Sequence, residues 1–203
     1  MNTSVTHVVF DLGGVIIELR GSPIRSEWFA DTLDEKDIWK KWLLSSAPRE
    51  FESGKLSVND FAQRVVSELS LSVEPDIFLD YFKGLPIGPY DGAKALLTKV
   101  KETHKTALFS NSNAIHWERK MGEMDLGPFF DFHFASHLMG SVKPDQAAFE
   151  QVVSGLAVPA GQILFFDDNE MNVNAARQAG LVAEQVAGLQ QLRAGLEKHR
   201  ILR

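Results

Sequence analysis

The sequence predicts an α/β fold in which a parallel sheet carries helices on both faces and a helical insertion follows the first strand. Three observations lead there. Short apolar runs recur along the chain, amphipathic helical patterns stand between most of them, and one long stretch near the N-terminus has helical periodicity with no convincing strand.

The runs His7 to Phe10, Thr106 to Phe109, Phe132 to Ala135, Ile163 to Phe166 and Leu181 to Val186 have the length and apolar content of strands buried on both faces. Gly92 to Glu102, Ala114 to Met124, Gln146 to Gly155 and Asn169 to Ala179 repeat apolar residues at helical spacing between turn signals. Strand and helix in alternation require crossover connections, and these give parallel pairing. The stretch 18–90 breaks the rhythm. Ile38, Trp39, Trp42 and Leu43 form one stripe; Phe61, Val65 and Leu69 form a second behind a Ser57 and Asp60 capping pair; Ile77, Phe78, Tyr81 and Phe82 form a third. Pro86, Gly88 and Pro89 mark the return. The predicted organisation is a core of 1–17 and 91–203 with a helical cap of 18–90.

A chain of 203 residues with 44% hydrophobic and 24% charged residues has the composition of an ordinary globular protein, long enough to bury a full core. Its net charge of −6 argues against a phosphate-tracking nucleic-acid surface and for small or weakly charged partners. The absence of cysteine excludes disulfides, thiolate zinc sites and cysteine nucleophiles. Only Val8, Val9 and Phe10 precede Asp11 as an apolar run, and no later stretch is long enough to span a membrane, so the cytoplasm is the expected location.

Open parallel sheets bind ligands beyond the carboxyl ends of their strands. The residues found there are Phe10-Asp11-Leu12-Gly13-Gly14-Val15, Leu108-Phe109-Ser110-Asn111 and Phe165-Phe166-Asp167-Asp168-Asn169. Converging carboxylates repel one another unless a cation or shared proton relieves them, so Asp11, Asp167 and Asp168 together suggest a metal. With oxygen donors only, magnesium (Mg2+) is favoured over zinc. Taken singly, Asp167 or Asp168 could cap a helix, Ser110 and Asn111 could form a turn, and Lys143, held extended by Pro144, could be a solvated surface lysine. In concert they could bind phosphate through a hydroxyl, a backbone N–H and an ammonium.

These motifs, in this order and together with Val142-Lys143-Pro144-Asp145 and with Asn172, Ala176 and Gly180, resemble the four motifs of the haloacid dehalogenase superfamily across essentially the whole chain. The resemblance implies a Rossmann-like core with a cap over the site and, most commonly, a magnesium-dependent phosphatase. It casts Asp11 as the nucleophile that forms an aspartyl-phosphate and also ligates the metal with Asp168 and the Gly13 carbonyl. Asp167 would hold a metal-bound water, with Asn172 beside it. Ser110 and the Asn111 backbone would bind phosphate, and Lys143 would orient the nucleophile.

Family phosphatases usually carry a second aspartate, the general acid and base, where this chain has Gly13. A positioned acid contributes about 10²–10⁴-fold. The glycine variant resembles a bacterial branch that includes glucose-1-phosphate phosphatase-like enzymes. His116, which follows Ser110-Asn111-Ser112-Asn113, is a candidate substitute that also stands close enough to meet substrate; the plainer reading is a histidine in an ordinary helix turn. The leading expectation is a phosphatase for a small phosphorylated metabolite. The competing ones are a phospho-metabolite-binding protein that lacks its acid, and a dehalogenase, which would leave the Asp167 and Asp168 pair unexplained.

Overall fold

Five strands hydrogen-bond into one parallel sheet in the computed structural model, which describes residues 4–202. In chain order the strands are β1 (His7–Phe10), β2 (Ile17–Leu19), β3 (Pro86–Pro89), β4 (Lys105–Ser110), β5 (Phe132–Ala135), β6 (Ile163–Asp167) and β7 (Val182–Gln185). The sheet order is β5-β4-β1-β6-β7. Because β1 lies between β4 and β6 in parallel, with Phe10 opposite Leu108 and Phe166, the chain just beyond each strand emerges at one edge. That register sets Asp11 level with Asp167 and one residue short of Ser110 at the same edge.

Alternation along these strands divides the core in two. Val8, Phe10, Leu108, Leu164 and Phe166 face one layer of helices, and Val9, Ala107, Phe109, Ile163 and Phe165 face the other. The helices are α1 (Glu35–Leu44), α2 (Ser46–Glu52), α3 (Val58–Glu68), α4 (Pro75–Lys83), α5 (Ala93–Lys101), α6 (Ala114–Glu118), α7 (Ser136–Met139), α8 (Gln146–Leu156), α9 (Glu170–Gln178) and α10 (Gly188–Lys198).

Helices α1 to α4 bury an aromatic core of their own. Trp42, Phe51, Phe61, Phe78 and Phe82 are at most 6% exposed, and the Phe51 and Phe61 rings stack with centroids 4.1 Å apart. Ser57 accepts the Asp60 N–H at the start of α3, the N-cap bond that offsets one of the helix's orphan donors.

Several details depart from the sequence expectation. The stretch 18–90 does contain strand: β2 and β3 pair antiparallel as a two-stranded ribbon at the junction between the helical unit and the sheet domain. They are short, far apart in sequence, and β3 reads Pro-Ile-Gly-Pro, so neither shows a strand period. Helix α2 also lacked a signal, having seven residues with a proline third. Leu43 and Ile77, assigned to buried stripes, are 76% and 56% exposed. The predicted helix from Ala114 to Met124 is α only to Glu118; Arg119–Glu123 continues as a π turn, with the Met124 N–H reaching the Arg119 carbonyl at 2.9 Å. Among the described residues no helix is long and apolar enough to cross a membrane.

Candidate active site

A cavity of about 300 Å³ lies between the carboxyl edge of the sheet and the helical unit. Its floor contains Asp11, Gly13, Ser110, Asn111, Lys143, Asp168 and Asn172, and the helical unit supplies Trp39, Trp42, Leu43, Glu52 and Phe82. A larger depression around Arg20 and Arg25 contains none of the converging carboxylates.

Asp11 follows β1 directly and is held to β6 by its N–H on the Phe166 carbonyl at 2.8 Å. One oxygen, Oδ1, accepts from Lys143 Nζ at 2.7 Å; among the described residues Oδ2 accepts no hydrogen bond. Lys143 Nζ also donates to Asp167 Oδ2 at 2.6 Å and to the Phe109 carbonyl at 3.0 Å. Burial opposes the ammonium, but Asp11 and Asp167 outweigh it and raise the Lys143 pKa, so it remains charged. The Asn111 side chain grips the Lys143 backbone at both ends, accepting its N–H at 2.9 Å and donating to its carbonyl at 3.0 Å. Asn111 therefore positions the lysine with the side chain, a contact that sequence could not show.

Asp167 is fully buried and accepts from Asn172 Nδ2 at 3.0 and 3.1 Å and from the Asn169 N–H at 2.9 Å. Asp11, Asp167 and Asp168 each offer an oxygen within 4.8 Å of the others. Lys143 pairs with two of these carboxylates, and among the described residues Asp168 makes no ion pair. Burial, then Asp11 and Asp167, push the Asp168 pKa up to about 7. This donor set, all oxygen and short of positive charge, suits a hard divalent cation.

The two glycines after Asp11 are not equivalent. Gly14 has φ +73°, and a Cβ there would stand 2.2 Å from Asp168 Oδ2. Gly13 is not in the left-handed region, and a Cβ would meet only the tip of Leu19 at 3.1 Å. The backbone constraint therefore lies at Gly14, and position 13 has the conformational freedom for a side chain.

His116 lines the cavity but is not available for proton transfer. Its Nε2 donates to the Phe82 carbonyl at 2.8 Å, and Nδ1 accepts from Asn113 Nδ2 at 3.2 Å. Burial, then Lys120, lower its pKa to about 3, so the ring is neutral and fastens α6 to α4. Its role as substitute acid is thus overturned, because both nitrogens are committed. Trp117 packs edge-on against His133 and His137, outside the cavity lining.

Two cavity residues were missed. Lys120, 4% exposed, points Nζ at Ser110 Oγ and Ser112 Oγ, at 3.4 and 3.3 Å. Burial lowers its pKa to about 8 against the pull of Asp11 and Glu52. Its position one helical turn beyond His116 was a usable signal. Glu52 ends α2, and burial raises its pKa to about 7.

Residues 5–180 match the family described as haloacid dehalogenase-like hydrolase. The chain belongs to that family. A D-ribitol-5-phosphate phosphatase from Bacteroides thetaiotaomicron is 22% identical over 187 residues, covering 87% of this chain and 89% of its own. A sesquiterpene phosphatase from Aspergillus oryzae is 26% identical, covering 90% of each. The fold is shared with a family enzyme of Bacteroides thetaiotaomicron solved in complex with magnesium and inorganic phosphate, at TM-score 0.74 and 21% identity over 90% of this chain and 94% of that one. The haloacid dehalogenase-like chain is a hydrolase with an α/β core.

Proposed function

We propose that the protein is a magnesium-dependent phosphatase of the cytoplasm that hydrolyses a small phosphorylated metabolite through an aspartyl-phosphate on Asp11. The observation that carries this reading is the Asp11 carboxylate itself: one oxygen is held by Lys143, the other is free of hydrogen bonds in a cavity that Asp11 lines, and a second carboxylate, Asp168, stands beside it with no ion pair among the described residues. Residues 18–90 act as the cap and 1–17 with 91–203 as the catalytic core.

Magnesium held by Asp11, Asp168 and the Gly13 carbonyl, with Asp167 and Asn172 behind them, would supply positive charge that lets an anionic nucleophile approach an anionic ester. Lys143 fixes the Asp11 carboxylate so that its free oxygen is presented to phosphorus. Ser110, the Asn111 backbone and Lys120 line the position where non-bridging phosphate oxygens would gather. The magnesium and phosphate bound to the structural neighbour, and the phosphatase names of the relatives, support the assignment. Those names pair one chemistry with a sugar-alcohol phosphate and a sesquiterpene, so the phosphate ester is the common element.

Asp11→Asn tests it. The variant should fold and lose essentially all turnover on a panel spanning polyol, sugar and prenyl phosphates, and acid-quenched wild type should carry phosphate on Asp11 by mass spectrometry. Retained turnover in Asp11→Asn would require direct attack by water and reject the covalent route. Wild-type activity in excess chelator would reject the metal.

A further inference from the structure

With glycine at position 13 and His116 committed at both nitrogens, the floor of the site lacks the second carboxyl with which family phosphatases move the proton. The helical unit supplies a carboxyl. Glu52 lies at the C-terminus of α2 and lines the same cavity as Asp11, Lys120 and Asp168. Its side chain makes no hydrogen bond or ion pair to any described residue, whereas on the floor Lys143 holds Asp11, and Lys143, Asn172 and the Asn169 N–H hold Asp167.

Glu52 is also held over the floor. Ser136 Oγ donates to the Glu52 carbonyl at 2.6 Å and accepts the Ser112 N–H at 2.9 Å, tying the end of α2 to the loop after β4. Arg49, one turn earlier, pairs with Asp145 at the start of α8. Gly54, at φ +73°, passes so close to the His137 carbonyl that a Cβ would stand 2.5 Å from it. These three contacts dock α2 on the sheet domain.

Building on the phosphatase reading, we propose that Glu52 is the general acid and base of the reaction, standing in from the helical unit for the carboxyl absent at position 13. In the first half, an Asp11 oxygen bonds to phosphorus as the bond from phosphorus to the ester oxygen breaks. The proton of the Glu52 carboxyl passes to that oxygen, giving the free alcohol and a Glu52 carboxylate. In the second half, a water oxygen bonds to phosphorus as the Asp11 bond breaks, and Glu52 takes the water's proton, which returns it to its starting form with release of inorganic phosphate. The groups acting on Glu52 favour this cycle. Burial holds the carboxyl protonated up to about pH 7, with Asp11 reinforcing that effect and Lys120, Lys143 and Arg49 opposing it. Lys120, which lines the same cavity, remains a cation for the phosphate.

Glu52→Gln, which keeps shape but cannot shuttle a proton, is compared with wild type in magnesium on an alkyl phosphate and on p-nitrophenyl phosphate. Turnover of the alkyl ester should fall by about 10²–10⁴-fold. The aryl ester, whose nitrophenolate leaves unprotonated, should instead give a burst of one nitrophenol per enzyme followed by a slow steady state, because only dephosphorylation is impaired. Glu52→Asp should recover part of the alkyl activity, a rescue that a packing role would not give. Unchanged turnover on both esters, or equal losses with no burst and no rescue, would overturn the proposal. So would leaving-group-dependent loss in Lys120→Met but not in Glu52→Gln. If Asp11→Asn is inactive while Glu52→Gln is fully active, the proton role alone falls; if Asp11→Asn is active, the phosphatase reading falls with it.

Discussion

The floor of the cavity and the helical roof above it face the same space with different physics. On the floor, at the ends of β1, β4 and β6, charged groups are buried and interlocked: Lys143 bridges Asp11 and Asp167, Asn111 clamps Lys143, and Asn172 and the Asn169 backbone hold Asp167. On the roof, Trp39, Trp42, Leu43 and Phe82 make an apolar wall with one unpaired carboxyl, Glu52. A dense polar network fixes geometry because each member is costly to leave unmatched, whereas an apolar wall accepts different shapes. Under the proposed phosphatase reading, the sheet would carry the nucleophile and the metal, and the helices would choose the leaving group.

Two buried lysines offer the largest test of that contrast. Lys143→Met should destabilise the protein by about 3–5 kcal/mol in urea unfolding, because Asp11 and Asp167 would remain buried without their cation. Lys120, bonded only to hydroxyls, should tolerate methionine within about 1.5 kcal/mol and show its loss as a higher KM. Similar destabilisation in both would erase the distinction between an interlocked floor and its margin.

A smaller effect is expected at the paired glycines. Gly14→Ala forces Asp168 to move and strains a left-handed backbone, and should weaken magnesium binding by about 10–100-fold in calorimetry. Gly13→Ala asks only the Leu19 tip to shift and should bind magnesium nearly as wild type does. The reverse ranking would mean that Asp168 is not part of the metal site.

The smallest effect is on pH-dependent stability in chelator. Glu52 and Asp168 have folded pKa values near 7, above their unfolded range of about 4, so the folded state holds protons that the unfolded state has released. Their stabilising contribution is complete below about pH 4 and is lost as pH rises through about 7. The melting temperature should fall by a few degrees between about pH 5 and about pH 8, less so in Glu52→Gln, and magnesium should restore it at the upper end. A flat profile would show that neither carboxyl is held in its acid form.

By itself the sequence determined the five sheet strands, the alternation that makes them parallel, and the acidic clusters at their ends, because burial on both faces writes itself as short apolar runs such as Val8-Val9-Phe10 and Ile163-Leu164-Phe165-Phe166. It also carried the family motifs through Asp11, Ser110, Lys143 and Asp168. What only the tertiary structure decided were contacts between residues far apart in the chain. The β2 and β3 ribbon, the grip of Asn111 on Lys143, the commitment of His116 to Phe82 and the arrival of Glu52 in the cavity that Asp11 lines have no local period or motif. The Asn111 grip exists because loops of the sheet domain meet at its carboxyl edge, and the His116 and Glu52 placements because the helical unit folds back over that edge. Desolvation and neighbouring charge there alter what a side chain can do, and no linear pattern records which charges will become neighbours.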